Sequence, residues 1–135
     1  MERTKISDDD FFLGLLHSLR LYSGQTAFGY SDRLWSSCCY AAYQLLEQEA
    51  PAAGIEIGFY LRLHPIHGDS QVAINGLQTH QGMAPLEAPR FDGFNLRIWE
   101  SDARRELAAK PGSEELWQRV AEAFMSAYNS IALHA

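Results

Sequence analysis

Residues Ile55 to Leu63 alternate apolar and polar without a miss. Ile55, Ile57, Phe59, Leu61 and Leu63 fall on one side, and Glu56, Gly58, Tyr60, Arg62 and His64 on the other. A period of two predicts a strand with one wet face, from Ile55 to about His64. His67-Gly68-Asp69 then turns the chain. Gln71 to Gln78 predicts a second, weaker strand with Val72 and Ile74 on one face, and Gly76 reads as a bulge. Together they predict an antiparallel hairpin. His80 to Arg90 reads as a linker punctuated by Gly82, Pro85 and Pro89 and pinned by Met83 and Leu86. Phe91 to Trp99 predicts a third strand, with Phe94, Leu96 and Ile98 inward and Asn95, Arg97 and Trp99 outward. Asp92-Gly93 also reads as a turn, which would start that strand at Phe94.

Helical spacing flanks the strands. Ser7-Asp8-Asp9-Asp10 starts a helix, with Ser7 as cap, Asp10 at the capping-box position and acidic residues suited to the macrodipole. Phe12, Leu15, Leu16, Leu19 and Tyr22 follow at helical spacing, and Ser23-Gly24 ends the run. After a loop from Gln25 to Tyr30, Ser31-Asp32 caps a second helix striped by Leu34, Trp35, Cys38, Ala41, Ala42, Leu45 and Leu46, closed by Pro51 and Gly54. Ser101-Asp102 caps a short helix to about Ala109. Ser113 caps a last one whose stripe is Trp117, Val120, Ala121, Phe124, Tyr128 and Ile131. The order α-α-β-β-β-α-α predicts an α+β fold: a three-stranded antiparallel sheet with helices packed on one face. A winged-helix arrangement is the alternative, but the loop at Gly24 to Tyr30 is too short for its third helix.

With 135 residues the chain fits a single globular domain, residues 1–135, and 47% apolar content suits an ordered core. No apolar run reaches the roughly 20 residues of a membrane span, and the first residues lack a signal-peptide core. A cytoplasmic location is therefore expected. A net charge of −6 with scattered basic residues argues against nucleic-acid binding. Cys38 and Cys39 are adjacent, too close for ordinary disulfide geometry, and read as reduced thiols.

Candidate chemistry concentrates at the turn. His64, His67 and Asp69 sit at spacings that suit a transition metal or an acid–base pair. In a hairpin, His80 would lie roughly 30 Å away at the far end of the sheet. A returning third strand would instead bring Glu100 to the turn. The weak catalytic or metal constellation is thus His64, His67, Asp69 and Glu100. The same residues read more simply as a solvated turn, with Pro65 setting the bend, Gly68 taking a positive φ and Asp69 bonding its own backbone.

The outer sheet face offers Tyr60, Arg62, Asn75, Asn95, Arg97 and Trp99, a mixture that protein interfaces use for anchors. Asp8 to Asp10 suit a divalent cation or, more simply, helix capping. Phe28 and Tyr30 line a small pocket or join the core. Ser23 and Ser36 lack a nucleophile context, and the glycines at 24 and 29 lack the lysine and hydroxyl of a phosphate loop.

The expected function is a non-enzymatic cytoplasmic protein-binding module of adaptor, inhibitor or immunity type. It would engage a protein partner, or a second copy of itself, through Tyr60, Arg62, Asn95, Arg97 and Trp99, with no cofactor. The alternative is a small metal-dependent or histidine acid–base enzyme at the His64–Asp69 turn.

Overall fold

A computed structural model describes residues 4–80 and 93–133. The elements are β1 (Thr4–Ile6), α1 (Asp8–Tyr22), β2 (Ala27–Gly29), α2 (Asp32–Ala53), β3 (Ile55–Ile57), α3 (Gln71–Thr79), β4 (Gly93–Asn95), α4 (Glu100–Ala108) and α5 (Glu114–Leu133). The three-stranded antiparallel sheet is not there. Two small sheets replace it: β1 pairs parallel with β3, and β2 pairs antiparallel with β4.

The alternating stretch shows why. Its burial does alternate, with Ile55 and Leu61 buried and Glu56, Gly58, Tyr60, Arg62 and His64 exposed. Only Ile55–Ile57 has a strand partner, because β1 ends where Ser7 begins α1. The last rung is the Gly58 N–H donating to the Ile6 carbonyl at 2.8 Å. Beyond it the extended chain lies on helices. Phe59 packs on Phe11 and Tyr43, and the Tyr43 hydroxyl donates to the Phe59 carbonyl at 3.1 Å.

Gln71 to Thr79 is a helix, not a strand. Ser70 caps it, its hydroxyl accepting from the Ala73 N–H, while the Ser70 N–H donates to the buried Ser36 hydroxyl. Ala73, Ile74 and Leu77 face inward at helical spacing, and Val72 faces out. Gly76 is no bulge. A Cβ there would come 2.5 Å from the Phe12 ring, so glycine lets α3 sit against α1.

The third strand shrinks to Gly93–Asn95. Phe91, Asp92 and most of the linker, with Met83 and Leu86, lie outside the described residues. Phe94 stacks on Phe28 at 5.1 Å across β2 and β4 and meets Trp35 edge-on. Trp35 and Phe28 also contact Phe124 of α5. The α2–α5 pair thus holds the aromatic centre of the core, and Arg119 of α5 pairs with Glu49 of α2 at its edge. Pro51 does not stop α2. The helix runs through it to Gly54, which takes φ 70°.

Capping follows one rule with one exception. Ser7, Ser31, Ser70 and Ser113 each accept a backbone N–H in the first turn of α1, α2, α3 and α5. At α4 the cap is Trp99, which makes no side-chain cap bond. Ser101 and Asp102 lie inside the helix rather than capping it.

Candidate functional site

The His64–Asp69 turn holds itself together. The Nδ1 of His64 accepts the N–H groups of Ile66 and His67, both at 3.1 Å. These donors place the ring proton on Nε2. The imidazole does here what an Asn or Asp side chain does in a turn. The His64 N–H donates to the Asp69 carbonyl at 2.6 Å, the Gly68 N–H donates back to His64, and the two imidazoles stack at 4.7 Å. Gly68 takes φ 70° directly over Arg33 of α2.

Glu100 does not join this turn. It faces Arg104 on its own helix at 3.0 Å, and α4 packs on α1 and α5. The strand that was to deliver it is only Gly93–Asn95, and it pairs with β2 rather than beside the turn. His80 ends α3, with Nδ1 donating to the Gly76 carbonyl at 2.7 Å and Nε2 3.6 Å from Asp9. Nine helical residues rise only about 14 Å, so the turn and His80 are closer than a strand would put them, but at opposite ends of α3. Among the described residues no group of three or more His, Cys, Asp or Glu is placed to hold a metal ion.

The expected binding residues fall into separate places. Tyr60 and Arg62 stay together, the guanidinium 5.8 Å over the exposed ring, beside a cleft of about 350 Å³ walled by Tyr40, Tyr43 and Glu47. Asn75 accepts from Gln71 on α3. Asn95 pairs with Ala27 in the small antiparallel sheet. Arg97 and Trp99 belong to the segment between β4 and α4.

That segment builds the most distinctive surface. After β4, the Leu96 N–H donates to the Thr26 carbonyl at 2.7 Å, which prolongs the pairing by one rung. Arg20, in the last turn of α1, donates its Nε–H to the Ile98 carbonyl at 2.7 Å. The result is a groove of about 320 Å³ lined by Arg20, Thr26, Leu96, Arg97, Ile98 and Trp99. No carboxylate among the described residues lines it. Elsewhere Arg104 pairs with Glu100 and Glu114, Arg105 with Asp102 and Arg119 with Glu49. No carboxylate among the described residues pairs with Arg20 or Arg97. Trp99 stands at the lip, 77% exposed. Sequence reasoning missed Arg20. Its one signal is a basic residue closing a helix, which the macrodipole explains without any groove.

The remaining candidates are structural. Asp10 closes a capping box with Ser7. Cys38 and Cys39 are both buried. Burial pushes the Cys38 thiol up to about 12, and burial, then its neighbour, raises Cys39 well above the ordinary thiol value. Burial and then the hydrogen bond to Asp32 raise the Tyr30 phenol. Phe28 is in the core. No helix among the described residues is long and apolar enough to cross a membrane. Comparison with protein-family models, with curated proteins and with solved structures finds no match for this chain.

Proposed function

We propose that this protein is a binding module that engages a protein partner through the surface around Arg97 and Trp99. The carrying observation is the tryptophan itself. It occupies the only helix N-cap among the described residues that lacks a capping side chain, and it is largely exposed. Ser or Asp there would stabilise α4 by about 1 kcal/mol. A large apolar ring at that position serves contact better than folding. Arg97 beside it, exposed and without an ion-pair partner among the described residues, completes an arrangement common at interface hot spots. Two buried cysteines that remain thiols are in keeping with a reducing compartment, and a cytoplasmic location is part of this proposal.

The test is a double substitution, Arg97→Ala with Trp99→Ala, in affinity purification from the native cell and in a sizing column. The reading expects a lost partner, or a lost dimer if the partner is a second copy, with thermal unfolding unchanged. Undiminished association by the double variant would refute it.

A further inference from the structure

The groove's chemistry narrows the partner, on the premise that the Arg97–Trp99 surface is a binding surface. Its floor is apolar, from Leu96 and Ile98, and its only charges among the described residues are two guanidinium groups. Arg20 is partly buried and fixed by the Ile98 carbonyl, so its planar fork is oriented before any ligand arrives. One of its five N–H donors is used in that bond, which leaves its terminal nitrogens for a ligand. Arg97 is exposed on the neighbouring segment, and the Trp99 ring walls one end.

A cationic groove on a chain of net charge −6 is a local inversion of the overall field. The nearest acid in sequence, Glu100, already faces Arg104. A groove of this size, about 320 Å³, takes one or two side chains, not a domain edge. We infer that the groove receives a protein segment in which an Asp or Glu side chain, or a chain-terminal carboxylate, lies next to a large apolar side chain. The carboxylate sits between the guanidinium groups of Arg20 and Arg97. The apolar side chain covers Leu96 and Ile98 against Trp99. A nucleic-acid backbone offers the same negative charge, but the net acidity of the chain opposes a polyanion while tolerating a single carboxylate.

Selection from a random peptide library on the immobilised full chain tests this, followed by fluorescence titration of each enriched peptide. Trp35 and Trp117 are buried, so iodide-accessible emission reports Trp99 alone. The inference expects enriched peptides to share an Asp or Glu beside Leu, Ile, Phe or Trp. Changing that acid to its amide should weaken binding roughly tenfold or more, and Arg97→Ala should remove the difference between acid and amide. Peptides that need Arg97 and Trp99 but bind equally as acid and amide would overturn the inference and leave the binding surface standing. No enrichment, or peptides that bind the Arg97→Ala, Trp99→Ala variant as well as they bind the unaltered chain, would overturn both. Displacement of the peptides by a short oligothymidylate at low salt would overturn the carboxylate in favour of a phosphate ligand.

Discussion

Three tryptophans divide this molecule into two kinds of surface. Trp35 and Trp117 are 2% and 0% exposed, and each indole N–H has an acceptor: the Ala73 carbonyl at 2.7 Å and the Pro111 carbonyl at 2.9 Å. Both rings are hemmed in. Trp35 meets Phe94 and Phe124, and Trp117 lies so close to Gly14 that a Cβ there would come 2.4 Å from its ring. Trp99 is 77% exposed, caps nothing and stands beside two arginines without carboxylate partners among the described residues. The same side chain is thus spent on packing twice and on the surface once. The first use is explained by burial and hydrogen bonding. The second contributes almost nothing to folding, which is the argument for contact with something else.

The contrast can be broken directly. Trp117→Ala removes a fully buried ring and should cost about 3–5 kcal/mol in urea denaturation, if the variant folds at all. Trp99→Ala should stay within about 0.5 kcal/mol of the unaltered chain. Similar losses for the two would erase the distinction between packed and presented tryptophan.

The thiols sharpen the packed side. Burial raises the folded pKa of Cys38 from 9.0 to about 12, and that of Cys39 upward as well. Burial, and then the hydrogen bond to Glu114, likewise lift Tyr22 from 10.0 to about 12. As pH rises through 9 for the thiols and through 10 for Tyr22, the unfolded chain therefore loses these protons before the folded one. The contribution is fully present below pH 9 and is lost between about pH 9 and pH 12. Stability measured across this window should fall, and should fall less in a Cys38→Ala variant. A Cys38→Ala curve parallel to that of the unaltered chain would show that the thiol is not held in a desolvated site.

The turn provides a smaller test. His64→Ala strands two backbone N–H groups that the imidazole now accepts, and should cost about 1 kcal/mol. His64→Asn offers a carbonyl in much the same place and should recover most of that loss. If both cost the same, the histidine's role is not acceptance through Nδ1.

How much of this was written in the chain depends on range. Caps and stripes are local, so Ser7, Ser31 and Ser113 mark their helices and the apolar periodicity of α1, α2 and α5 is plain. The alternation from Ile55 to Leu63 reports which face is wet, and it does so correctly at Leu61 and Arg62. It is silent about what lies opposite, and the partner proved to be a three-residue strand for three rungs and helix side chains thereafter. In Gln71–Thr79 two alternating residues, Val72 and Ile74, outweighed a better helical signal, the Ser70 cap with Ala73, Ile74 and Leu77. The outer face inferred from the three-strand sheet fell apart with that sheet. Arg97 and Trp99 stayed adjacent because they are neighbours in sequence. Arg20 is 78 residues from the Ile98 carbonyl it holds, and no local pattern foretells that contact.

The most direct measurement is made on Trp99→Ser, in two readouts on one preparation. Serine gives α4 the cap that the other helices have, so urea stability should hold or rise by up to about 1 kcal/mol, while retention of the native partner or dimer is lost. A variant that is destabilised by more than about 1 kcal/mol yet keeps its partner would contradict the account, because Trp99 would then belong to the fold and not to a binding surface.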